Sequence, residues 1–198
     1  MGSAKTTRGR KRLVEGIGHV GYEVWMTAET AAMLAGAPGG PVDPRLGVVY
    51  NALLESALIH TRALADFFIR PPGSYGDDMR RTDFAEEWDP SPSEDVAQIE
   101  GALTPINKYL AHLTWRRVQK QQWEIVGATR AIVRIADAWS KHLSAHDAEL
   151  HAHFRPSVAN AFKAIEGLAP DITNNTGSPT VVTQVRFARP RPRSGGDR

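Results

Sequence analysis

Two stretches of the chain set histidine and arginine into otherwise apolar helical patterns: residues 51–62, NALLESALIHTR, and residues 107–116, NKYLAHLTWR. In the first, Leu53, Ala57, His60, Leu64 and Phe67 recur at alternating steps of four and three, the signature of a core-facing stripe. Glu55 and Arg62 are seven apart on a flanking face, with Asp66 one turn beyond. In the second, Ile106, Leu110 and Leu113 mark the core side, and Lys108, His112 and Arg116 form the neighbouring stripe at i, i+4 and i+8. Two chemistries fit these residue types. Buried polar groups cost free energy unless partnered, so His60 and His112 can be interior histidines satisfied by Glu55, Arg62 and Asn107. Alternatively His112, titrating near neutrality, is a general acid–base beside Arg116 and Lys108, which stabilise developing negative charge.

A further histidine stripe lies downstream. His142, His146, Glu149 and His153 are spaced i, i+4, i+7 and i+11 and share one face if a single helix carries them. Two histidines four apart can hold a divalent ion such as zinc, with Glu149 as a third ligand or His60 supplying one from another helix. Polar surroundings make a solvated face the simpler reading, and no resident metal or cofactor is expected. Other chemistries are absent from the sequence. There is no cysteine, hence no thiolate site. Gly16-Ile-Gly18 lies inside a helical pattern without a preceding strand, so it is no phosphate loop, and Ser56 is mid-helix without an elbow.

These residues require helices to position them, and the pattern is all-α. A first helix spans Arg12 to Ala35, with Val14, Ile17, Val20, Val24, Ala28 and Ala31 as its buried stripe. Asp43-Pro44 caps a second that runs to Arg70, where Pro71-Pro72-Gly73 stops it. Residues 71–90 form a polar connection anchored by Phe84 and Trp88. Ser91-Pro-Ser-Glu94 reads as a capping box opening the third helix, and Pro105 should kink or divide it before 106–118. Trp123 starts a fourth helix to about Phe154, ended by Arg155-Pro156, and 158–168 is a short fifth. Tyr22, Trp25, Phe67, Phe68 and Phe84 are assigned to packing positions, while Tyr109 and Trp115 flank His112.

The division is a basic disordered N-terminus at 1–11, one bundle domain at 12–169, and a disordered Arg/Pro-rich tail at 170–198. The 198 residues carry a net charge of only +2, but unevenly. Five basic residues and no acid lie in 1–12, and five arginines against Asp197 in 186–198. Between 13 and 185 the chain holds 14 basic and 21 acidic residues. An acidic body argues against a nucleic-acid surface spread over the fold, although the tails can meet phosphates non-specifically. Residues 180–185, TVVTQV, have strand propensity and can pair only with another protein. No apolar run approaches the ~20 residues of a membrane span, and a cytoplasmic location is the default.

At the two motif helices the sequence resembles a widespread, uncharacterised family of small bacterial helical proteins, with N-x-L-L-E-S-x-x-I-H-x-R-x-L-x-x-F-F and N-K-x-x-A-H-L-T helices. The likeness takes in Asp83-Phe84 and runs from about Val14 to Trp139. The second motif is more distantly similar to the signature helix of HEPN proteins, bundles found in many toxins and defence nucleases. That resemblance implies a dimer and metal-independent RNA cleavage, with His112 as the motif histidine and Asn107 and Lys108 as its inner polar pair. The superfamily's arginine has no counterpart: none lies between Arg81 and Arg116, and Lys108 is the nearest upstream cation. The histidine stripe of 142–153 resembles DinB-like metal-binding bundles, without their Arg-Gly-Gln-like segment.

With no complete catalytic constellation, the leading expectation is a non-catalytic interaction or regulatory module. Trp25, Met26 and Met33, apolar but off the first helix's main stripe, suggest that it works as a homodimer. The alternatives are an HEPN-like RNA-binding protein or endoribonuclease using His112, and a DinB-like metalloprotein.

Overall fold

The structure, a computed structural model, describes residues 9–36, 43–70, 77–85, 88–90, 93–110 and 123–168. It is an all-α bundle, and no strand occurs among the described residues. Helix α1 spans Arg10–Ala35, α2 Pro44–Phe68, α3 Arg81–Phe84, α4 Glu94–Leu110, α5 Ile125–His146 and α6 Ala148–Glu166. No helix among the described residues is long and apolar enough to cross a membrane. The expected tails, 1–11 and 170–198, lie almost entirely outside the described residues, as does the 180–185 segment.

The α1 stripe packs as its periodicity predicts: Ile17, Val20, Val24, Ala28 and Ala31 are buried and Val14 half-buried. The helix begins at Arg10, two residues earlier than the pattern suggests. Thr27 and Thr30 are buried on its α2 flank because each hydroxyl donates to the carbonyl four residues back, at 2.9 Å to Glu23 and 2.6 Å to Met26. Thr61 of α2 does the same to Ala57 at 2.8 Å. Gly21 lets α6 approach, since a Cβ there would lie 2.7 Å from Ser157 Oγ and 3.1 Å from its Cβ. At Gly16 a Cβ would meet the Phe84 ring at 3.1 Å and the Met79 sulfur at 3.2 Å. These two glycines are where α6 and the 77–90 connection press on α1.

Trp139 of α5, fully buried, is the centre of the main core. Phe154, Phe67, Phe68 and Phe84 surround it edge-on at centroid distances of 5.1, 5.2, 5.4 and 6.1 Å, the arrangement that aromatic quadrupoles favour. Phe84 and Trp88 anchor their connection as expected, Trp88 lying 6.1 Å from Phe68, and Arg81 ties it down through Trp88 O at 3.1 Å. A smaller cluster of Ala31, Leu34, Ala57, Leu58, Ile106 and Ile125 joins α1, α2, α4 and α5.

Four local expectations are corrected. The cap of α4 is Ser93, whose hydroxyl accepts from Val96 N–H at 3.2 Å, rather than Ser91, which lies outside the described residues. Pro105 does not divide α4, and α6 runs through Pro156. Each proline deletes a bond to the carbonyl four residues back, and those residues, Gly101 and Ala152, are exposed, so water can satisfy the freed oxygen. The break falls instead at Asp147, which ends α5 and caps α6 by accepting from Leu150 N–H at 3.0 Å. Tyr22 and Trp25 are surface residues, at 47% and 39% exposure, because they point away from the Ile17–Val24–Ala28 side of α1.

Candidate functional site

His60 is half-buried between α1 and α2, its side chain 14% exposed. Its Nδ1 lies 2.6 Å from Glu23 Oε2, and the edge of its ring meets Tyr22 at a centroid distance of 5.9 Å. The partner is therefore on α1, not among the residues that the motif itself supplies. Glu55 points to solvent on the outer side of α2 and makes no ion pair among the described residues. Arg62 reaches Asp66 at 3.8 Å along the same helix. The expected network of His60 with Glu55 and Arg62 is thus replaced by a carboxylate–imidazole link between helices. Glu23 flanks the α1 stripe beside Val24 and Thr27, and an acid interrupting the otherwise uncharged 16–28 run was the available signal for it.

On α4 the structure places Asn107 half-buried and Lys108 exposed. The Asn107 Oδ1 atom is buried with no hydrogen-bond partner among the described residues. His112 and Arg116 lie outside the described residues, together with Trp115 and the side chain of Tyr109. The pairing of α4 with α2 does occur, through the smaller core cluster.

The downstream histidines do not form one stripe. His142 and His146 close α5 with their rings stacked at 4.0 Å, and His146 Nδ1 lies 2.8 Å from His142 O. Glu149 and His153 belong to α6, beyond the Asp147 break, so the register that would align four ligands is lost. Glu149 is instead engaged by Arg10 of α1, whose Nε donates to Oε2 at 2.8 Å. The same guanidinium grips Asp147 with two nitrogens, the Nη2 bond measuring 2.8 Å. Among the described residues no group of three or more histidines and carboxylates has the geometry to hold a metal ion.

This Arg10 clamp is the most strongly polarised feature among the described residues. Hydrogen bonds from Arg10, and secondarily the Leu150 amide, hold the Asp147 carboxyl at about 2 against burial, which opposes them. Arg10 is raised in turn, chiefly by its bonds to Asp147 and Glu149. A second bidentate pair joins Arg134 of α5 to Asp95 of α4 at 2.5–3.1 Å and raises the Arg134 value. Both clamps sit on exposed helix rims and fasten one helix to another. No family model, curated protein or solved structure matches the chain.

Proposed function

We propose that this chain is a non-catalytic helical interaction module of a bacterial cytoplasmic protein, working as a homodimer. One observation carries the reading. Seven of the nine large apolar side chains that are exposed among the described residues lie on two helices, Tyr22, Trp25 and Met33 on α1 and Leu46, Val48, Val49 and Ile59 on α2. Scattered apolar residues are ordinary on a protein surface, whereas their concentration on adjacent helices is the mark of an association face. The chemistry-bearing residues that the structure describes support the same reading: His60 and Glu23 satisfy each other, and Glu149 is held by Arg10. Light scattering on untagged protein at tens of micromolar tests it. A mass about twice 21.7 kDa is expected, and a monomer overturns the reading.

A second reading, RNA binding or cleavage through His112 with Lys108 and Arg116, has the buried, unpartnered Asn107 oxygen in its favour, a polar atom in the motif helix that still needs a donor. An RNA-degrading activity lost in His112→Ala would support it. An inactive parent protein, with His112→Ala merely less stable, overturns it.

A further inference from the structure

Resting on the homodimer reading, we infer that the two copies meet through their α2 helices, antiparallel about a two-fold axis between Leu58 and Ile59, with Glu55 of each copy paired to Arg62 of the other. The seam is legible on the outer face of α2. Val48, Ala52, Glu55, Ile59, Arg62 and Asp66 follow one another at steps of four, three, four, three and four, the spacing with which one helix presents a continuous edge to another. Val48 and Ile59 are 69% and 56% exposed, among the most solvent-accessible large apolar side chains described. Ala52 and Ala63 flank Ile59 and are too short to hold a second helix away.

Charge chooses the direction. Glu55 is exposed and without an ion pair among the described residues. Asp66 is already held by Arg70 at 2.7 Å, which leaves Arg62 only a 3.8 Å approach to it. A cation and an anion thus stand two helical turns apart on one edge, neither with a close partner of its own. In a parallel pairing Glu55 would face Glu55 and Arg62 would face Arg62. In an antiparallel pairing centred between Leu58 and Ile59, each Glu55 faces an Arg62, twice by symmetry, with the Ile59 side chains packed between the two pairs. A self-complementary patch of this kind fits a second copy of the same chain.

Charge reversal tests the register. Glu55→Arg and Arg62→Glu should each weaken dimerisation roughly ten- to a hundredfold in sedimentation equilibrium, because each places like charges opposite each other. Mixed one to one, the two variants should associate again, since the mixed dimer has one copy with two cations facing one copy with two anions. The double reversal should likewise dimerise on its own. Glu55 and Ile59 are exposed and the Arg62 side chain is 43% open, so far-UV circular dichroism should match the parent, with melting temperature lower only by the stabilisation that association itself supplies, and Ile59→Ser should weaken the dimer without any charge change. Single reversals that leave a dimeric parent unaffected overturn the α2 seam while sparing the homodimer. Singles that dissociate but do not recover on mixing overturn the antiparallel register. A parent that is monomeric across roughly 5–200 µM overturns both readings.

Discussion

Replacing Asp147 with asparagine isolates the clamp that closes the bundle where α5 turns into α6. Asparagine still caps α6, because its carboxamide oxygen can accept from Leu150 N–H, but it cannot ionise opposite Arg10. The carboxyl of Asp147 falls from 3.8 to about 2, and at about 1.4 kcal/mol per pKa unit this sets a ceiling of roughly 2–3 kcal/mol on its charge-dependent stabilisation. Both partners are partly open to solvent and screened, so about 1 kcal/mol is the realistic size. The sign follows from the depressed value. The contribution is fully present above the unfolded value near 4 and is lost as pH falls through 4 towards 2. Urea unfolding of parent and Asp147→Asn between pH 7 and pH 2 measures it, since the carboxylates remote from the Arg10 clamp contribute equally to both and cancel. The parent should be more stable by a constant margin down to about pH 4.5, and most of that margin should be gone by pH 2. A margin that persists unchanged to pH 2 would show that the ionised Asp147–Arg10 pair is not its source.

The reassigned partner of His60 is open to a double-mutant cycle: Glu23→Ala and His60→Ala should be coupled by about 1 kcal/mol in chemical denaturation, whereas Glu55→Ala should change stability by less than about 0.5 kcal/mol. Equal coupling of His60 to Glu55 would restore the network that the motif alone suggests. Gly21→Val should destabilise the bundle by about 2–3 kcal/mol through overpacking against Ser157, and Ser157→Gly in the same chain should recover part of that loss. A neutral Gly21→Val would mean that α1 and α6 have room between them.

The helical class and the buried stripes of α1 and α2 were legible because they depend on local periodicity. Asp43 was legible for the same reason: its side chain accepts from Arg45 N–H two residues on, at 2.8 Å. Proline punctuation misled because its cost depends on something non-local, the exposure of the carbonyl four residues back. With Gly101 and Ala152 facing water, Pro105 and Pro156 are tolerated, while the quieter Asp147-Ala148-Glu149 signal marks the real boundary. The site suffered from the same limit. His60 was correctly placed toward the interior, but naming Glu23, 37 positions away in the chain, required the register of α1 on α2, which no spacing within either helix encodes. The four-ligand histidine face failed with the boundary, since a spacing of i, i+7 has meaning only along an unbroken helix.

How the arginines are used separates the inward-stitched surface from the part left to others. Arg10 fastens α1 to the α5–α6 junction, Arg81 holds Trp88 O and Arg70 O, Arg130 holds Leu168 O, and Arg134 fastens α5 to α4. Each of these spends its donors on another element, which is what a rigid, planar, always-charged group does well. The side chains of Arg62 and Arg70 differ, because their carboxylate partner is Asp66, four residues away along α2 or just past its end. Same-helix exposed pairs of this sort add only about 0.3–0.5 kcal/mol and exchange partners readily. The outer edge of α2 thus carries arginines only loosely committed to the fold, and it is the edge that also exposes Val48 and Ile59. A helix held on one side by the core, and carrying on the other an apolar seam with exchangeable charges, has what it needs to recognise another helix without loosening its own.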